Sequence, residues 1–413
     1  MSAGHSKPHS WPEAHLLAGT VASPLPPVDA PLADALGATL AAPVRALTPI
    51  PSFDTSAMDG YAVSGEGPWT VLGRVLAGGS SSAWALRGGE CVEVATGAPI
   101  PSGTEAVLPY EQATRDGDDV DGTVIPGRHV RRRGEDCPRD ALLVKNGRTV
   151  TPALLGLAAS VGLDRLRVVK RPRVGVVVTG DEVVHYGVAG PGQVRDAIGP
   201  MLPGTIAAAG GVLTGTVWLA DDRTTLERAL GDPSGDVLVV CGASSVGPAD
   251  HLRRSLAQVG ADLLVGGVAC RPGHPQLLAR LVDGRFVVGL PGNPFAALVA
   301  AMTLLGPLLR AFAGRPAPGP RYAQVDSEVR AHHSDTRLVA VERHGDLVTP
   351  VGHDRPGVLW GAALADALAV VPPAWSGGLV ELLDLPGDGL AGSTVSGLGA
   401  PSEHTERLLT RIG

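Results

Sequence analysis

Three short, almost unbroken runs of aliphatic residues constrain this chain more than any other feature: residues 174–178, residues 237–240 and Phe286–Leu290. A strand with one wet face alternates apolar and polar residues, whereas a continuous apolar run must be covered on both faces. Helical patterns separate the three runs, so residues 172–312 are predicted to form an α/β domain with a doubly wound parallel sheet. Each run ends in a polar, glycine-bearing turn: Thr179-Gly180-Asp181-Glu182, Gly242-Ala243-Ser244-Ser245-Val246-Gly247, and Pro291-Gly292-Asn293-Pro294. Open α/β sheets bind ligands at these carboxyl ends.

The second turn offers an anion backbone N–H groups at Gly242 and Gly247 and the hydroxyls of Ser244 and Ser245, because glycine lets the main chain come close. In the third, Asn293 can cap a helix whose first residue, Pro294, has no N–H to satisfy. Carboxylates accompany the turns at Asp181, Glu182, Asp221, Asp222 and Asp250. Carboxylate beside phosphate is unfavourable unless a cation lies between them, and Mg²⁺ commonly bridges one or two carboxylates to phosphate oxygens. Asp222 and Asp250 equally suit helix N-caps, and any one of the turns alone fits an ordinary loop. Together they predict a site for a small phosphate-bearing ligand and a divalent metal.

At 413 residues the chain exceeds one ordinary core. Residues 1–45 carry a Pro-rich lead and a helical pattern at 32–42, and residues 46–146 carry β-type runs at 69–72, 91–94 and Ala106–Pro109. An apolar helix follows Thr151 as N-cap and Pro152 as first helical residue. Beyond Gly314-Arg315-Pro316-Ala317-Pro318-Gly319-Pro320, strands at 338–342, 347–351, 368–371 and 379–383 predict a small C-terminal β-barrel or sandwich.

A net charge of −7 with 3% aromatics argues against nucleic acid as partner. The four cysteines form no C-x-x-C pair and fit a reducing cytosol. No signal-peptide run opens the chain, and the apolar stretch 295–309 is shorter than the ~18 residues a membrane span needs, so it reads as a buried helix and no membrane partner is expected. P-loop, dinucleotide-binding and G-x-S-x-G fingerprints do not occur.

Six motifs, in order, are Ser56-Ala57-Met58-Asp59-Gly60-Tyr61-Ala62, Ala95-Thr96-Gly97-Ala98-Pro99, Gly134-Glu135-Asp136, Thr179-Gly180-Asp181-Glu182, Ser245-Val246-Gly247 with Asp250, and Leu290-Pro291-Gly292-Asn293-Pro294. In these the chain resembles the molybdopterin molybdenumtransferase family of molybdenum-cofactor synthesis, to which the C-terminal domain of gephyrin is also similar. The resemblance implies an elongated homodimer of four-part chains: a linker and dimerisation domain (1–45 and 147–171), an inserted β-rich domain (46–146), the central molybdopterin-binding α/β domain (172–312) and a C-terminal β-barrel domain (313–413). It implies a cytoplasmic enzyme that takes adenylylated molybdopterin and molybdate, inserts the metal at the dithiolene and releases AMP with Mg²⁺. The molybdopterin adenylyltransferase would be its partner.

Carried over by motif, the catalytic residues would be Asp59, Asp136, Glu182, Asp221 and Asp250, with Glu182, Asp221 and Asp250 as metal ligands. Substrate would lie against Thr96, Gly97, Thr179, Gly180, Gly242, Ser244, Ser245, Gly247, Arg271, Pro291, Gly292, Asn293 and Pro294. Asp59, Thr96 and Asp136 would face the rest within one chain or across a dimer. On turn propensity alone, Asp59 and Asp136 read as turn residues beside Gly60 and Gly134.

The family's lysine-bearing K-P-G-K-P element is Arg271-Pro272-Gly273-His274-Pro275 here, Gly267 stands at an upstream lysine position, Ala197-Ile198 replace Ser-Asn after Arg195-Asp196, and Pro248 replaces an acid. Arg271 can hold an oxyanion bidentately, though it is not equivalent to an ammonium. These losses raise two alternatives: a non-catalytic molybdopterin-binding or cofactor-chaperone paralogue, and an oligomeric scaffold that keeps only the fold. The Gly352-His353-Asp354-Arg355-Pro356-Gly357 segment contributes no site residue to this reading.

Overall fold

The computed structural model describes residues 7–81, 84–242 and 251–386. The chain divides into two units, one of Met1–Val28, Gly37–Thr39 and Val169–Gly413, the other of Asp29–Leu36 and Leu40–Val168.

The first unit is built on a six-stranded sheet. Its strands are β1 (Arg173–Thr179), β2 (Val212–Leu219), β3 (Val237–Cys241), β4 (Asp262–Val265), β5 (Leu277–Arg280) and β6 (Phe286–Leu290), in the spatial order β2-β1-β3-β6-β5-β4. The first four in that order are parallel. β5 runs antiparallel to both of its neighbours, β6 and β4, which the apolar pattern does not reveal. Only five residues separate β5 from β6, with Gly284 at φ +89°, and so short a connection can join only antiparallel neighbours. The predicted parallel sheet is therefore mixed at one edge.

Helices cover both faces. Val174, Val176, Val178, Val239 and Val288 pack with Ile198–Ala208 and the helix that begins at Pro294, while Val177, Val240 and Val287 pack with Arg223–Gly231 and His251–Gln258. Burial on both sides is why the strands carry no polar alternation.

The N-terminus departs from the sequence expectation. The pattern at 32–42 gives a helix only over Leu32–Ala35, because Gly37 takes φ +74° and the chain then enters the strand Thr39–Leu40. A ten-residue helix instead occupies Trp11–Thr20, ahead of the Pro-rich lead at Pro24, Pro26 and Pro27. Its signal was the capping box Ser10-x-x-Glu13: Ser10 accepts from the Glu13 amide, while the Glu13 carboxylate accepts from the Ser10 amide at 2.9 Å.

This helix docks on a 19-residue helix, Pro294–Phe312, which is apolar enough to cross a membrane by composition but has 89% of its apolar window buried inside the protein. A π-helical stretch, Ala301–Leu305, interrupts it and turns Thr303 toward the docking helix. The Trp11 indole N–H donates to Thr303 Oγ1 at 3.0 Å, and His15 Nδ1 lies 3.2 Å from the Thr303 carbonyl. Burial pushes the His15 pKa down to about 4. The unfolded chain then binds the proton more readily, so stability present above pH ~6.5 falls as pH drops toward 4, by up to about 3 kcal/mol. Urea midpoints at pH 7 and pH 4.5 should show that loss in the wild type and a smaller one in His15→Gln.

Downstream, five strands close on themselves: Arg321–Val325, Thr336–His344, Leu347–Pro350, Ala367–Val371 and Leu379–Asp384. Thr336–His344 pairs with both Leu347–Pro350 and Ala367–Val371, so the sheet has no free edge and the C-terminal region is a barrel. The strand Val268–Arg271 pairs with Thr336–His344, joining barrel to α/β region.

The second unit centres on a six-stranded sheet in which Gly60–Ser64 lies between Glu90–Val94 and Ala106–Pro109, both antiparallel to it. The helix Pro152–Ser160 starts as its sequence predicts, with Thr151 Oγ1 accepting from the Leu154 amide at 3.2 Å. All four cysteines are free and buried.

Candidate active site at the strand tips

The tips of β1, β3 and β6 are tied to one another. Thr179 Oγ1 donates to the Cys241 carbonyl at 3.1 Å, and the Gly242 amide donates to the Leu290 carbonyl at 3.2 Å. Gly242 adopts φ +96°, and a Cβ there would lie 2.4 Å from the Thr179 carbonyl oxygen. Gly292 lies in ordinary contact with it: its added Cβ would stand 3.6 Å from Gly242 Cα. Pro291, which precedes Gly292, is buried. Among the described residues the Gly292 and Asn293 amides donate no hydrogen bond, so two neighbouring N–H groups remain for an anion.

Asn293 sits at the N-cap, but its side chain makes no capping bond. The Phe295 amide instead donates to the Pro356 carbonyl at 2.9 Å. The 352–357 segment, which sequence reasoning set aside, thus closes over the Pro294 helix start. No local pattern announces this, because it depends on barrel docking.

The carboxylates gather at the tips of β1 and β2. Gly180 takes φ +137°, and its missing side chain leaves room for Glu182, whose Oε2 lies 2.9 Å from where a Cβ would be. Asp181 Oδ1 accepts from the Asp221 amide at 3.1 Å, bracing one tip against the next. Asp222 serves as a helix cap, its carboxylate accepting from the Thr225 amide and hydroxyl at 2.8 and 2.7 Å. Among the described residues the Glu182 and Asp221 carboxylates have no partner, which leaves both able to ligate a cation. No group of three or more metal-binding side chains occurs among the described residues. Mg²⁺ needs only one or two carboxylates when substrate phosphates and water complete its shell, so this donor set fits it. Ser244, Ser245, Gly247 and Asp250 lie outside the described residues.

Asp196, half of the Arg195-Asp196 pair, is a structural hub that the sequence did not reveal. It is 8% exposed; Oδ1 accepts from the Ile198 and Gly199 amides at 3.0 and 2.9 Å, and Oδ2 accepts from the Trp218 indole at 3.0 Å. Asp196→Ala would uncap a helix and orphan the indole, costing ~2–4 kcal/mol as read from urea midpoints. Arg271 is committed to Asp335, its Nε donating at 2.7 Å, so an oxyanion there would have to compete with a carboxylate.

In the second unit three motifs converge. The register pairs Gly60 with Val94, which carries Asp59 alongside the turn after Glu90–Val94. There the Thr96 amide and hydroxyl both donate to Asp59 Oδ1, at 2.6 and 3.0 Å. These bonds favour the anion and hold the Asp59 carboxyl below its usual pKa. Oδ2 has no partner among the described residues. Gly60 is obligatory, since a Cβ would fall 2.0 Å from the Leu108 carbonyl oxygen. Gly97, at φ +79°, donates its amide to the Ser56 carbonyl at 2.8 Å. Thr55–Ser56 pairs with Val130–Arg131, and Arg131 forms an ion pair with Asp136. Asp59 and Thr96 are thus in direct contact, whereas Asp136 is held by an arginine.

Two family models match: the MoeA N-terminal region (domain I and II) over residues 10–162, and the probable molybdopterin binding domain over residues 175–311. The molybdopterin molybdenumtransferase 2 of Mycobacterium tuberculosis is 36% identical over 318 residues, 71% of this chain and 76% of the relative. The molybdopterin molybdenumtransferase of Synechococcus elongatus is 32% identical over 314 residues, 72% of this chain and 78% of the relative. Among solved structures, a molybdopterin biosynthesis MoeA protein from Pyrococcus horikoshii matches with a TM-score of 0.73 and 27% identity, covering 92% of this chain and 100% of that one.

Proposed function

Because this chain belongs to the molybdopterin molybdenumtransferase family, we propose that its strand tips bind molybdopterin in adenylylated form and carry out molybdenum insertion with release of AMP. The chain is an enzyme of molybdenum-cofactor biosynthesis, a transferase that inserts molybdenum into molybdopterin. The observation that carries the finer reading is the pairing of two unused backbone donors, at Gly292 and Asn293, with two unpartnered carboxylates, Glu182 and Asp221, in one strand-tip region. The amides suit phosphate oxygens. The carboxylates suit the cation that such oxygens require beside them.

Breaking a phosphoanhydride builds negative charge on the departing phosphate, and preorganised donors lower that barrier without covalent help from the protein. Mg²⁺, when bound, supplies charge neutralisation between the two phosphates. Glu182 and Asp221 would hold it, and the Gly292 and Asn293 amides would orient the phosphate. The buried Thr179–Cys241 and Gly242–Leu290 bonds keep these groups from moving as charge develops. Asp59, ionised and anchored through Oδ1, keeps Oδ2 available within the second unit, and family likeness makes it a candidate catalytic group.

Homodimerisation, a cytoplasmic location, delivery of substrate by the molybdopterin adenylyltransferase and the four-part division at 1–45 with 147–171, 46–146, 172–312 and 313–413 complete the proposal, resting on family likeness. Beyond the sequence departures at Gly267, His274, Ala197-Ile198 and Pro248, nothing favours the non-catalytic paralogue or the scaffold. Purified protein given adenylylated molybdopterin, molybdate and Mg²⁺ should release AMP, and chelating the Mg²⁺ should stop it. AMP release equally fast without molybdate would sink the coupled insertion step.

A further inference from the structure

A cavity of about 430 Å³ opens in the first unit where the Trp11–Thr20 helix, the end of the Pro294–Phe312 helix and the barrel strand Leu379–Asp384 meet. That volume lies within the ~300–1,000 Å³ range of small-molecule sites. Its walls are mostly apolar, Leu16, Met302 and Leu382 among them, but three arginines line it. Arg321 pairs with Asp384 at 3.1 Å, a carboxylate that Arg343 also holds from outside the lining. Arg315 donates to the Ala208 carbonyl at 2.7 Å and to the Gly37 carbonyl, which leaves its charge uncompensated and its buried Nε without a partner.

Arg310 is the decisive group. It is half-buried in the cavity wall, and its guanidinium, beside Gly306, makes no ion pair and no hydrogen bond among the described residues. Burying a cation without a counter-charge is costly, and replacing it by an apolar residue would ordinarily stabilise a protein. Nor can His15 compensate: it is neutral at physiological pH, and if its Nδ1–H donates to Thr303, Nε2 is left as an acceptor. Glu381, also on the wall, is desolvated and without a partner among the described residues, and burial raises its pKa. Counting Arg321 with Asp384 as a neutral pair, the lining keeps two cations against one carboxylate.

We propose that this cavity is a binding site for a small organic anion, a carboxylate, sulfonate or phosphate group on an apolar body, with the anionic group on Arg310 and the body against Met302 and Leu382. The site is separate from the strand tips, and the inference does not rest on the reading of that site.

The probe is 8-anilinonaphthalene-1-sulfonate, an arylsulfonate of the stated chemistry, titrated by fluorescence and calorimetry into the full chain. Saturable binding near one per chain is expected. Arg310→Gln should weaken it about tenfold or more, the loss expected for a hydrogen-bonded charge pair, and Arg310→Lys should restore part of it. Leu16, 66% exposed at the rim, supplies variants that leave the core untouched. Leu16→Lys should tighten and Leu16→Glu weaken the probe, each about two- to fivefold. Should Arg310→Gln fail to fold, the opposed Leu16 shifts decide alone. Equal affinity in wild type and Arg310→Gln, or shifts at Leu16 of the same sign, would overturn the assignment, since an apolar patch indifferent to charge would give either result.

Discussion

Asp221→Ala and Asp59→Ala should each lower AMP release at least about a hundredfold while leaving the urea midpoint almost unchanged. Removing one preorganised electrostatic contact to a charge that develops in the transition state costs on the order of 10²–10³ in rate. Neither side chain supports the fold to a comparable extent. Asp221 is exposed, and it is its backbone amide, which alanine keeps, that bonds to Asp181. Asp59 is exposed as well, and its loss frees only the Thr96 turn. The two variants separate roles when Mg²⁺ is titrated. If Asp221 holds the cation, Asp221→Asn should require more Mg²⁺ for half-maximal rate. Asp59→Asn can keep one acceptor for Thr96 while losing the charge, so a rate close to wild type in that variant would assign Asp59 to positioning the turn. Full activity in both alanine variants would remove them from the mechanism.

Gly242→Ala should be the most damaging small substitution at the strand tips. The added Cβ would lie 2.4 Å from the Thr179 carbonyl oxygen on a residue at φ +96°, so backbone must move, and the nearest backbone carries the site. Strain plus forced displacement costs about 3 kcal/mol. A shift of about 1 Å in reacting groups can cost a further hundredfold in rate. Gly284→Ala is the matched control: φ is +89° but a Cβ there meets nothing within 4 Å, so the penalty is only the strain of the left-handed conformation, about 1 kcal/mol. Equal losses in the two variants would mean that the close approach of the tips is unimportant.

The same carboxyl-end geometry explains which parts of the site were legible beforehand. The turns after β1, β3 and β6 could be read because a buried strand must end in polar residues, and glycine at such an end marks backbone proximity. Asp222 as a cap and Thr151 as a cap are local events within a few residues, and local events leave local patterns. The Trp11–Thr20 helix had such a pattern too, the Ser10-x-x-Glu13 box with Pro12 inside it. The antiparallel edge of the sheet was hidden for a different reason. Apolar runs report burial, and burial does not depend on strand direction.

The sequence by itself determined the elements and their periodicity, the buried character of the central strands, and the glycines at 60, 180 and 242 without which no close approach could occur. Tertiary structure alone decided that Asp181 braces Asp221, that Asp196 holds both a helix start and Trp218, that Pro356 closes on Phe295, and that Arg271 is held by Asp335. Apart from the helix start beside Asp196, each of these joins residues far apart in sequence, from 22 for Asp196 and Trp218 to 64 for Arg271 and Asp335. A hydrogen bond across such a span has no periodicity to betray it, because its partners are brought together by the packing of whole elements and not by the chain between them.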